Sequence, residues 1–247
     1  VYVDERMELL TTVQYLSDYE LIAFANSTYK KDIDKYFSKF KNHPIVQLNR
    51  IIQNDFFVGD TPPLYLYHFS FPELKPIAGF TNEENELYEF DKHTDTLNLF
   101  NSLLKDFYRK TNFHSFFKTH SNYYDTMTAS VRRVLLQRDY ANFLENHYGQ
   151  AHFEYNLVLT PLLHDGGYGP SIKTNKGLKI YAIVGPRSYS KEISKFDADN
   201  ILSYYVFHEF SHSFCNPIIR KYYSQLVKDS CLIRPILEEQ NKQGYGG

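Results

Sequence analysis

The chain has no tryptophan and only two cysteines in 247 residues. With Cys215 and Cys231 alone, a disulfide-stapled scaffold and a four-cysteine zinc site are both excluded. A single disulfide and two small buried thiols stay equally open. No apolar run approaches the roughly 20 residues that a membrane-spanning helix needs. An excess of either charge is missing too: the formal net charge is −2. No stretch carries the block of lysines and arginines that neutralising a phosphate backbone requires. Lys30-Lys31 and Arg132-Arg133 read as solvated faces, so nucleic acid is not expected as a partner. The chain starts at Val1 with neither an initiator methionine nor a signal peptide, as a mature secreted product or a chain with its leader removed would. Internal repeats and low-complexity segments are absent. So is the Gly-x-Ser-x-Gly elbow of a serine hydrolase.

Aromatic rings are abundant, with 22 tyrosines and 20 phenylalanines, and apolar residues make up 43% of the chain. A sizeable ring-rich core is expected, in which buried tyrosine hydroxyls need hydrogen-bond partners.

Helical spacing dominates the first half. Met7, Leu10, Val13 and Leu16 recur along one face, as do Ile33, Tyr36, Phe37 and Phe40. His43-Pro44 interrupts the pattern, and a further apolar segment runs from Ile45 to Ile52. Gly59-Asp60-Thr61-Pro62-Pro63 reads as a break, followed by about thirty irregular residues. From Thr96 the spacing returns in the stripe Leu97, Phe100, Leu104 and Phe107. Val131, Leu135 and Phe143 form a later stripe that Gly149 stops. Residues 153–160 then read as a strand, Gly166-Gly167-Tyr168-Gly169-Pro170 as a turn, and Leu178 to Val184 as a second strand. Asp197 or Asp199 could cap a helix that begins near Asn200 and is ended or kinked by Pro217. The expected architecture is α+β, a mostly helical domain with a small sheet before the last helix. One domain over 1–247 is expected, helical over about 1–150 and carrying the sheet and last helix over about 151–247.

The chemistry concentrates in His208-Glu209-Phe210-Ser211-His212. A catalytic zinc takes three protein ligands and keeps one position open for water. Two histidines four apart on a helix stand one above the other, so His208 and His212 can reach one ion. Glu209 can then take a proton from the water on that ion, whose pKa falls to about 7. Tyr204, His208, His212 and Asn216 make a polar stripe, while Phe207, Phe210 and Phe214 make an apolar one. Asn216 could orient a ligand histidine. The plainer reading is a pair of satisfied core histidines with Glu209 at the surface. A third ligand could be Glu238 or Glu239, in a helical-looking run from Ile233 to Gln243, although an exposed charged face explains that pair as well.

The run His208-Glu209-Phe210-Ser211-His212-Ser213-Phe214-Cys215-Asn216-Pro217 resembles an uncharacterised family of secreted zinc metallopeptidases from gut-type bacteria. That family carries His-Glu-Phe-Ser-His-Ser-Phe-x-Asn-Pro. Residues 3–10, and the pattern from Tyr36-Phe37 through Lys41-Asn42-His43-Pro44, resemble its N-terminal portion. The resemblance implies a gluzincin-like, zincin-fold peptidase exported to the periplasm or cell surface. It makes His208 and His212 the ligands, Glu209 the general base and Zn2+ the cofactor. The family pattern continues beyond a Gln-x-Tyr-Gly segment, matched near Gln243-Gly244-Tyr245-Gly246, into a helix that would supply the glutamate ligand. The third ligand would then lie beyond Gly247.

Other features carry less. An edge strand beside the motif helix could hold a peptide substrate, at Tyr155 to Leu163 or at Leu178 to Val184. Tyr168, Tyr222 or Tyr223 could donate to a developing oxyanion. The glycines at 166–169 are not a phosphate loop, since no Gly-Lys-Ser/Thr follows. His93 with Asp95, and histidines 114, 120, 147, 152 and 164, lack ligand spacing and read as surface or packing residues. Asp197-Ala198-Asp199-Asn200 lacks the glycine and closing glutamate of a calcium loop. The expected activity is zinc-dependent hydrolysis of a peptide or protein substrate. The alternative is a non-catalytic cell-envelope protein that binds peptide or glycan and keeps a degenerate or structural metal motif.

Overall fold

A computed structural model describes residues 1–22, 27–135, 139–151, 154–189, 193–196 and 201–228. Helix α1 (Glu5–Leu16) starts where the Asp4 carboxylate accepts from the Arg6 N–H at 2.8 Å, and Glu5 and Glu8 sit favourably in its first turn. Met7, Leu10, Val13 and Leu16 are buried, as their spacing predicts. Ser27 caps α2 (Thr28–Phe37), which tightens into a 3-10 turn over Ser38–Phe40. Pro44 opens α3 (Pro44–Ile52), where its missing N–H costs nothing.

The stretch read as irregular holds two short helices, α4 (Thr61–Tyr67) and α5 (Asn82–Tyr88). Pro62 and Pro63 sit in the first turn of α4, where prolines start a helix as readily as they stop one. A reciprocal capping box between Thr81 and Glu84 opens α5. The helices α6 (Thr94–Lys110), α7 (Phe113–Thr119), α8 (Ser121–Leu135) and α9 (Tyr140–Tyr148) follow. The whole stripe Leu97, Phe100, Leu104 and Phe107 is buried. Of the later stripe Val131 is buried, but Phe143 lies 60% exposed because Leu144 takes the inward position of α9. Gly149, at φ 67°, ends that helix in the left-handed region that glycine adopts freely.

Strand β1 (Glu154–Leu159) runs parallel to β4 (Gly177–Val184), Leu157 opposite Ala182. The connection between them turns back as β2 (Gly167–Tyr168) and β3 (Ser171–Thr174), both antiparallel along the other side of β4. Tyr2 bridges the outer edge of β1, donating its N–H to Leu157 O at 3.1 Å and accepting from Leu159 N at 2.9 Å. A two-stranded ribbon, β5 (Ser188–Tyr189) and β6 (Ser194–Lys195), precedes the last helix. One π-helical turn over Ile201–Val206 leads into α10 (Phe207–Lys228). The fold is α+β, with helices gathered around a small mixed sheet. No helix among the described residues is long and apolar enough to cross a membrane.

Pro217 lies inside α10 and does not end it. One lost ladder bond is tolerated because Phe210 and Phe214 anchor the preceding turns in the core. The Phe210 ring meets Tyr155 of β1 at 5.4 Å, and Phe214 stacks on Tyr148 at 4.6 Å. Asp197, Asp199, Cys231, Glu238 and Glu239 lie outside the described residues, as does His152. Cys215 Sγ stands 3.5 Å from the Tyr148 hydroxyl.

Rings fill the helical core. Phe37 packs on Phe107, Phe113 and Phe116 with centroids 4.7–6.0 Å apart. Buried Tyr65 donates to Leu97 O at 3.2 Å, and half-buried Tyr36 to Thr111 O at 2.9 Å. Tyr29 donates to Glu8, whose carboxyl is fully buried and pushed up to about 8 by the loss of water.

The folded chain therefore holds a proton on Glu8 that the unfolded chain releases above its ordinary 4.5. Stability should fall as pH rises from about 4.5 to about 8 and level off beyond. Glu8→Gln should flatten that slope in denaturant titrations across this range. An unchanged slope would place the pH dependence elsewhere. Truncating Phe37 to alanine should cost about 3–5 kcal/mol in the same assay.

Candidate metal centre and active-site cleft

Helix α10 presents His208 and His212 one turn apart. Their Nε2 atoms stand 3.2 Å apart, with the rings perpendicular at 89°. Two zinc–nitrogen bonds of about 2.0–2.1 Å at a tetrahedral angle put the nitrogens about 3.3 Å apart. The observed spacing thus fits two ligands on one ion. Asn216, one turn further on, offers Oδ1 to His212 Nδ1 at 3.3 Å. A proton on Nδ1 leaves the Nε2 lone pair directed at the shared point. Burial, reinforced by the neighbouring His212, lowers the His208 pKa and favours its neutral, ligating form.

Glu209 is buried at 6% exposure, contrary to the reading that placed it at the surface. It lies between the helix and the strand edge. A Cβ on Gly167 would stand 2.9 Å from Glu209 Oε1, and one on Gly169 would stand 2.6 Å from the Glu209 carbonyl oxygen. Only glycine lets the strand come this close. Burial first, then the negative charge of Asp60, pushes the Glu209 carboxyl up to about 8.

Asp60 is the participant that sequence reasoning missed. It precedes Thr61-Pro62-Pro63 and holds the N-cap position of α4, yet its side chain makes no cap. The carboxylate instead lines the same cleft as His212 and Gly169, and burial pushes its pKa up to about 6. A lone aspartate before a proline pair carries no signal beyond a turn or a cap.

The edge facing this site is the β2–β3 strand. One register runs through it: Gly166 O accepts from Gly185 N and Pro170 O from Tyr181 N, each at 3.0 Å, and Ile172 pairs with Lys179. Alternation then turns the backbone groups of Gly167, Gly169, Ser171 and Lys173 outward. This corrects the expected substrate edges. Leu178 to Val184 is the interior strand β4, paired on both sides, and Tyr2 covers β1 at Leu157–Leu159. This edge, which no other strand among the described residues pairs, was read as a turn because its glycines and Pro170 hide the alternation.

A cleft of about 190 Å³ opens beside His212, walled by Asp60, Leu64, Leu87, Tyr88 and Arg220. Arg220 of α10 crosses it to pair with Glu83 of α5. Of the tyrosines considered, Tyr168 is buried beside Tyr19 and His164, while Tyr222 and Tyr223 are 43% and 62% exposed on α10. Of the other histidines considered, His114 bonds to Glu5 and His120 to Asp32. His93 stacks on Phe56. Among the described residues, no third histidine, cysteine, aspartate or glutamate completes a metal-binding group with the pair.

A family model described as a domain of unknown function, DUF4932, matches residues 82–247. The chain belongs to the DUF4932 family. The matched region contains α5, the sheet and the histidine pair of α10, whereas Asp60 lies ahead of it. No curated protein and no solved structure matches the chain.

Gly169→Ala should force the edge strand and α10 apart, costing about 1–3 kcal/mol. Gly79→Ala, where an added Cβ meets nothing within 4 Å, serves as the control. Thermal unfolding of both variants checks this, and equal melting temperatures would refute the close approach.

Proposed function

We propose that this chain is a zinc-dependent peptidase whose His208 and His212 hold the ion and whose Glu209 is the general base. The carrying observation is the 3.2 Å separation of the two Nε2 atoms beside a buried carboxylate. Zinc bound there supplies Lewis-acid polarisation of a carbonyl and a water of lowered pKa.

The residues do the rest. Asn216 holds the His212 ring by its Nδ1–H, fixing the tautomer that presents Nε2. An extended peptide lies along the outward groups of Gly167 to Lys173, adding a strand to the edge. Glu209, fixed between strand and helix, takes the proton of the attacking water on its carboxylate. It later passes that proton to the leaving amine, so water adds across the broken C–N bond. Its raised pKa suits a group that must accept and return a proton near neutral pH. A cleft lined by His212 supports this reading over a binding protein with a relict motif, which needs no opening beside the histidines. The third ligand is Glu238, Glu239 or a residue that follows Gly247. Export to the periplasm or cell surface accompanies the proposal on the family resemblance alone.

Calorimetric titration of zinc into the metal-stripped chain should give one-to-one binding that His208→Ala abolishes. Asn216→Ala should weaken it by about 10–100-fold. Glu209→Gln should retain zinc and lose peptide hydrolysis. Full hydrolysis by Glu209→Gln, or no zinc uptake by this chain and by a C-terminally extended one, would sink the proposal.

A further inference from the structure

We infer that the cavity on the sheet face turned away from α10 is a binding site for a small organic acid, whose carboxylate is taken by Arg6. The inference stands apart from the peptidase reading and from the histidine pair.

The pleat of the sheet separates the two places. Tyr155 of β1 meets Phe210 of α10, so its neighbours Glu154 and Asn156 point to the opposite face. Their partners across the register, Lys179 and Tyr181 of β4, share that face, and Ile172 of β3 joins it opposite Lys179. Between this surface and Arg6 of α1, Tyr67 of α4 and Ile77 lies a cavity of about 930 Å³. It is larger than the cleft beside His212 and has the size of a small-molecule site.

Arg6 is held in place but not satisfied. Its guanidinium lies over the Tyr67 ring at 4.9 Å, and Tyr67 stacks on Tyr181 at 3.9 Å. Nη1 donates to Leu66 O at 3.1 Å. Nε has no acceptor, and Nη2 makes no hydrogen bond among the described residues. No carboxylate forms an ion pair with Arg6 among the described residues.

The acids that line the cavity are already answered. Asp4 accepts from the Arg6 N–H at 2.8 Å and from the Tyr67 hydroxyl at 3.2 Å. Glu154 pairs with Lys179 at 2.8 Å. The Tyr181 hydroxyl is a further donor with no hydrogen bond among the described residues. Lys176, in the turn between β3 and β4, adds positive charge to the rim. Arg6, Lys176 and Lys179 thus face only Asp4 and Glu154, and one negative charge is wanting. A carboxylate supplies it, with one oxygen for Nη2 and the other for the neighbouring Nε. A phosphate, with nearly two negative charges, exceeds that deficit and meets Asp4 and Glu154 unfavourably. Ile77, 62% exposed at the rim, and buried Ile172 give an apolar body a surface to lie against.

The test uses the full chain stripped of metal, so that zinc cannot hold the acid. Hydrocinnamate, its amide and inorganic phosphate are titrated into it by calorimetry. Hydrocinnamate should bind one-to-one, at least about tenfold tighter than its amide or phosphate. Arg6→Lys keeps the charge and removes the planar fork, and should weaken binding at least about tenfold. Ile77→Asp, at an exposed position where folding is not at stake, should weaken it similarly. If Arg6→Lys fails to fold, Ile77→Asp decides alone. His208→Ala should bind hydrocinnamate as the parent chain does. No binding, equal binding of acid and amide, tighter binding of phosphate, or full binding by either folded cavity variant overturns the inference. So does loss of binding in His208→Ala, which would move the acid to the histidine pair.

Discussion

The closeness of α10 to the glycine edge of the sheet is the constraint on which the candidate site depends. A Cβ at Gly169 would overlap the Glu209 carbonyl oxygen, and one at Gly167 would stand 2.9 Å from Glu209 Oε1. Bare backbone at these points lets the strand lie against the helix. That contact removes Glu209 from water. The raised pKa of Glu209 follows from it, since the carboxylate is desolvated before any neighbouring charge acts.

The helical remainder serves as a rigid wall. Ring-on-ring packing around Phe37 and Tyr65 fixes the helices that carry α4 and α5 to the cleft. Tyrosine is used here as a core residue whose hydroxyl must be answered, and Leu97 O, Thr111 O and Glu8 answer it. Glu8 and Glu209 show the same physics in two places. The first is buried against Tyr29 inside the helices, the second against Gly167 and Gly169 of the sheet. Only the second follows a histidine in the helix that carries the pair, so only there does a buried carboxyl become a candidate for proton transfer.

The π-helical turn before His208 adds a local feature that no residue pattern announces. Such turns recur at functional sites, where the extra residue re-aims the side chains that follow. Here it directly precedes the turn that carries His208.

Sequence alone determined the elements whose signal is local. The period of Met7 to Leu16 and of Leu97 to Phe107, the stop at Gly149 and the two main strands all appear where the residues put them. So do the placement of His208 and His212 on one helix face and the support from Asn216, because four-residue spacing on a helix is itself a geometry. Local reading failed where one residue type serves opposite ends. Pro62 and Pro63 start a helix and Pro217 rides inside one, since proline's cost depends on which carbonyl it would have met. Tertiary structure alone decided which strand borders the sheet among the described residues, how deeply Glu209 is buried, and that Asp60, some 150 residues from the motif, lines the same cleft as His212. Those facts arise from contacts between distant segments, and a contact between distant segments leaves no period or spacing in the chain for a sequence reading to find.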